Sequence, residues 1–92
     1  MSNQPCTNSN TQLTRCLAFD FGASSGRAML VTWDGRQLQL QEVHRFSNDP
    51  VRVGDTLYWD VLRLLHEVKQ ALLKVKHSGE LPHTIGVDTW GV

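Results

Sequence analysis

The chain is poor in the features that would tie it to a metal cluster, a membrane or a charged polymer. Two cysteines, Cys6 and Cys16, occur in 92 residues, and their spacing matches no zinc pattern. A disulfide framework of the kind that staples small secreted domains is therefore not expected. No apolar run approaches the roughly 20 residues that cross a bilayer. The opening residues, Met1 to Thr14, are polar and lack the apolar core of a signal peptide. Nine basic and nine acidic side chains cancel, so no net field recruits nucleic acid or an acidic membrane surface. His44, His66, His77 and His83 show no ligand spacing. The absences together point to a cytoplasmic protein without nucleic-acid or membrane partners.

What is present is a 40% hydrophobic content, ordinary for a globular segment and enough for one small domain. Residues 1–14 read as a disordered polar tail, because Ser, Asn, Thr and Gln leave little to bury. From Arg15 to Phe21 apolar residues occupy both faces of a strand, as in a central strand covered on both sides. Gly26 to Trp33 repeats that pattern with Ala28, Met29, Leu30 and Val31. Asp34-Gly35 then signals a type I′ hairpin. Gln37 to Phe46 alternates, with Leu38, Leu40, His44 and Phe46 assigned to one face. Ser47 to Leu57 reads as an irregular loop. Asp60 is the expected N-cap of a helix whose apolar face takes Val61, Leu64, Leu65, Val68, Leu72 and Val75. Ser78-Gly79 ends it, and Thr84 to Val87 forms a last short strand followed by Asp88.

The segment with the most chemistry is Asp20-Phe21-Gly22-Ala23-Ser24-Ser25-Gly26-Arg27, a polar turn between two apolar strands. Gly22 and Gly26 can take φ > 0 and let a ligand approach the backbone closely. Successive turn N–H groups can converge on an anion. Asp20 brings a carboxylate to the side where a hydrated magnesium ion would sit. The bland readings are an Asx-turn for Asp20, ordinary turn polarity for Ser24 and Ser25, and a surface cation at Arg27. Asp88 reads either as a turn cap or as a strand-end carboxylate lining a ligand crevice. Trp90 reads as a packing anchor that shapes such a crevice.

The β-β-β-α-β order resembles the ribonuclease-H-like core shared by sugar kinases, Hsp70 and actin, an α/β fold. Asp20 to Arg27 resembles the first phosphate motif of the FGGY family of carbohydrate kinases. Its Gly-Ala-Ser-Ser-Gly-Arg form, with Ala23 where most members carry threonine, is similar to the rhamnulokinase branch. So are Ile85-Gly86-Val87-Asp88-Thr89-Trp90-Gly91-Val92, His44-Arg45-Phe46 and Trp59-Asp60. The resemblance implies phosphoryl transfer from ATP, with Mg2+, to the 1-hydroxyl of L-rhamnulose. Carried over by position, Ala23, Ser24, Ser25, Gly26 and Arg27 would contact ATP phosphates. Asp20 would hold Mg2+ through water, and Gly91 would contact the sugar, with Asp88 and Trp90 as further candidates.

In that family the general base and the adenosine pocket lie downstream of the first ninety residues. Residues 15–92 are therefore expected to be the start of a kinase amino-terminal domain, inactive alone, within a longer two-domain protein. Oligomeric state is not legible. The alternatives are a kinase of the same family acting on L-fuculose or D-xylulose, and a non-enzymatic ATP-binding module of the actin or Hsp70 kind.

Overall fold

The computed structural model describes residues 13–91. Most of the expected tail and Val92 lie outside the described residues. The order is β1 (Thr14–Phe21), β2 (Ser25–Trp33), β3 (Leu38–Ser47), β4 (Val51–Val53), β5 (Thr56–Tyr58), α1 (Val61–Ser78) and β6 (Thr84–Thr89). Four strands form one mixed sheet in the order β3-β2-β1-β6. β1 is antiparallel to β2 and parallel to β6, and β2 is antiparallel to β3. This is the expected β-β-β-α-β sheet, with α1 as the crossover that a parallel pair requires. A separate hairpin, β4–β5, is inserted before the helix.

β1 runs through the middle because it is apolar on both faces. Leu17 and Phe19 point to the helix side and join Ala28, Ala71 and Val75 in a fully buried cluster. Each large side chain buried there contributes about 1.5–3 kcal/mol of transfer free energy. On the other face Cys16 and Ala18 are only half-buried, so among the described residues the cover is one-sided.

β3 corrects the expected alternation. The register steps from Ala28↔His44 to Met29↔Glu42, leaving Val43 as an extra residue in a β-bulge. A bulge shifts the two-residue period by one position. His44 and Phe46 therefore share the helix side with Ala28 and Gly26. Leu38 and Leu40 pair with Trp33 and Val31 on the opposite face, where both are exposed.

Three further corrections concern turns and the helix. Asp34 to Gln37 is a four-residue connection, not a two-residue one. In it Asp34 Oδ1 accepts from the N–H groups of Arg36 (2.8 Å) and Gln37 (2.7 Å), and these bonds, the Gln37 one first, hold its carboxyl below the usual range. Most of the expected loop 47–57 is taken up by the β4–β5 hairpin, which runs on to Tyr58 and turns at Gly54 with φ 64°. Along α1 the buried residues are Glu67, Ala71 and Val75, whereas Val61 and Leu65 are exposed. The helix ends behave as read. Asp60 accepts from the Arg63 N–H at 3.1 Å, and Gly79, at φ 81°, donates to the Lys76 carbonyl.

Candidate phosphate site

Gly22, Ala23 and Ser24 connect β1 to β2 in a tight reversal. The positive-φ glycines among the described residues are Gly35, Gly54 and Gly79, so Gly22 and Gly26 are not needed for a left-handed backbone. They are needed for space. A Cβ on Gly22 would lie 2.8 Å from the Ser25 carbonyl oxygen, and one on Gly26 would collide with the Phe46 ring. Both glycines thus permit close packing within the turn rather than an unusual dihedral.

The turn is held from outside by Asn48, the residue that follows β3. Its backbone N–H donates to the Ser24 carbonyl at 2.9 Å. Its side-chain Nδ2 donates to the Gly22 carbonyl at 2.9 Å. Gly22 N–H closes the reversal by donating to Ser25 O at 2.8 Å. Asn48 is buried although it carries four polar side-chain valences. Ala23, Ser24 and Ser25 are exposed, and among the described residues no acceptor meets the N–H groups of Ala23 or Ser24.

Asp20 and Arg27 face each other across β1 and β2. Arg27 Nη2 donates to Asp20 Oδ2 at 3.1 Å, with both side chains about half exposed. The row continues through Arg45, the partner of Arg27 on β3, and Asp88, the partner of Asp20 on β6. One transverse line across the sheet therefore reads Arg45, Arg27, Asp20, Asp88. Its two carboxylates lie at the carboxyl ends of adjacent parallel strands, where open α/β sheets form ligand crevices. The half-exposed Asp20 carboxylate, with Asp88 beside it, is the kind of donor set a magnesium ion uses, one or two carboxylates with much of its water retained. Among the described residues no group of three or more His, Cys, Asp or Glu side chains forms a closed metal cage.

The other candidates divide. Gly91 is exposed just beyond β6. Trp90 packs edge-on against Trp59, ring centroids 4.6 Å apart, which ties the end of β6 to the residue preceding the Asp60 cap. Gly26 is buried beneath Phe46 and contributes to the turn through packing.

A second polar group went unread in the sequence. Glu67 Oε1 meets His44 Nε2 at 2.7 Å, and its Oε2 accepts from Arg63 Nε at 2.6 Å. Lys74 Nζ lies 2.8 Å from His44 Nδ1. A lysine ammonium offers only donors, so His44 accepts at Nδ1 and donates from Nε2. Burial alone would raise the Glu67 carboxyl, but the hydrogen bonds from His44 and Arg63 and the Arg63 charge outweigh it and hold the group below its usual range. This chain of contacts joins α1 to β3 and supports the fold on the side opposite the Asp20 row.

Sheet order, turn and charge row together place an exposed polar turn, with Asp20, Arg27 and Asp88 beside it, at one end of the β-β-β-α-β sheet. No family model matches the chain. The chain is homologous to the rhamnulokinases. It is 45% identical over 82 residues to the rhamnulokinase of Klebsiella pneumoniae (strain 342), covering 87% of this chain and 17% of that protein. It is 43% identical over 77 residues to that of Mannheimia succiniciproducens, covering 82% and 16%. With the rhamnulokinase of Bacteroides thetaiotaomicron it shares 43% over 75 residues, covering 82% and 16%. The chain thus spans about 17% of the length of the curated relatives it matches. Among the described residues no helix is long and apolar enough to cross a membrane.

Proposed function

We propose that this chain supplies the ATP-phosphate end of a cytoplasmic kinase that phosphorylates L-rhamnulose at its 1-hydroxyl. The observation that carries the reading is the turn itself: exposed, acceptor-free N–H groups at Ala23 and Ser24, flanked by the Asp20–Arg27 pair. Phosphoryl transfer needs little covalent chemistry from the protein and much positioning and charge neutralisation. Ala23, Ser24 and Ser25 N–H groups would hold phosphate oxygens. Arg27 would fork onto the same oxygens, in a geometry lysine cannot reproduce. With Arg27 engaged by phosphate, the Asp20 carboxylate would be free to hold Mg2+ through its water shell. The ion supplies neutralisation of charge on the transferred phosphoryl group. Gly91, with Asp88 and Trp90, would border the sugar.

The test is a chimera in which residues 13–91 replace the matched segment of the Klebsiella pneumoniae rhamnulokinase. Its kcat/KM is measured on L-rhamnulose, L-fuculose and D-xylulose. The highest value is expected for L-rhamnulose. A higher value for either other sugar would transfer the assignment to that substrate.

A further inference from the structure

We propose that Asn48 is the positioning residue of the Gly22–Ser25 turn, setting which way its amides point. The inference rests on the phosphate-site reading and deepens it. In a planar trans peptide the carbonyl of one residue and the N–H of the next point in opposite directions. Asn48 Nδ2 holds the Gly22 carbonyl, so the Ala23 N–H points away from Asn48. The Asn48 backbone N–H holds the Ser24 carbonyl, so the Ser25 N–H also points away. One buried side chain and its own backbone amide thereby hold two carbonyls and turn the N–H groups that follow them away from Asn48. A carbonyl facing an incoming phosphate would repel it, and an N–H in the same place attracts it.

Burial strengthens the device. Asn48 retains 4% of its surface, and an exposed turn of three small residues has few other contacts to fix its peptide planes. The residue lies one position past β3, so the turn is fixed by the third strand as well as by the two it connects. Phe46, two residues earlier, packs its ring beneath Gly26. The end of β3 thus reaches the turn through a ring on one face and an amide beyond it.

The experiment uses the 15N-labelled chain and its Asn48→Ala and Asn48→Asp variants. Asn48→Asp keeps size and shape, but its ionised carboxylate cannot donate to the Gly22 carbonyl. Without nucleotide, either variant is expected to exchange the Gly22 amide about tenfold faster, the equivalent of one net hydrogen bond. Exchange at Leu17 and Ala71 should not change. On addition of ATP and Mg2+, the wild-type chain is expected to shift the Ala23, Ser24 and Ser25 resonances, and variants that remain folded to lose those shifts. Unchanged Gly22 exchange in a folded variant overturns the proposal, as does an ATP response equal to wild type. If Asn48→Ala does not fold, the isosteric Asn48→Asp decides. If the wild-type chain shows no ATP response, the phosphate reading fails, and the exchange comparison alone decides whether Asn48 orders the turn.

Discussion

Phe46 on β3 lies across the strand pair from Gly26 on β2 and fills the volume that a Cβ at Gly26 would need. The two residues act as one packing unit beneath the turn. Phe46 also meets Phe21 edge-on, centroids 5.8 Å apart, so the ring links β3 to β1 over the glycine gap.

Gly26→Ala is therefore expected to destabilise the chain by about 1–3 kcal/mol through overpacking. Thermal unfolding measures it. Combining Gly26→Ala with Phe46→Leu should recover part of the loss, because the smaller side chain vacates the contested space. No recovery would show that the glycine serves another purpose.

Glu67 makes stability depend on acid. Its folded-state carboxyl lies below the ordinary value of 4.5. The contribution is full above about that pH and is lost as pH falls through the depressed folded value. Urea unfolding at pH 7, 5 and 3 should show decreasing stability over the acid part of the range. Glu67→Gln should cost about 1–3 kcal/mol at pH 7 and flatten the acid loss. An equally steep acid limb in the variant would assign it to other carboxylates.

Asp60→Ala removes the acceptor for the Arg63 N–H. The expected cost is about 0.5–2 kcal/mol, read as a lower melting temperature. Asp60→Ser should retain most of the stability.

Arg27→Lys tests the fork geometry. In the chimera, the variant is expected to lose about 10²-fold in kcat/KM for ATP, with the sugar KM little changed. Lysine that restored full activity would reduce Arg27 to a point charge.

The central sheet was readable because β1 and β2 are apolar on both faces, which leaves few other placements. Helix ends were readable because Asp60 and Gly79 use local chemistry. The bulge at Val43 was not, since one inserted residue reverses the side of Leu38 and Leu40 without altering the local pattern. Glu67 and Ala71 on the buried face of α1 escaped because hydrophobic counting favours Val61 and Leu65. A buried glutamate becomes visible only once His44 and Arg63 are brought to it. Asp20, Ser24 and Arg27 were legible as a polar interruption of an apolar pair. Asn48 was not, because its role depends on a contact with Gly22, 26 residues away. Gly22 and Gly26 stand out in the sequence, but it is the space they leave, not a positive φ, that the turn uses.

The most direct measurement is sugar-dependent ADP formation by the chimera carrying residues 13–91, with Asp20 intact and with Asp20→Asn. The account predicts L-rhamnulose-dependent turnover for the first and a loss of at least about 10²-fold in kcat for the second, at similar melting temperatures. A folded chimera without L-rhamnulose-dependent turnover, or full activity in Asp20→Asn, would contradict it.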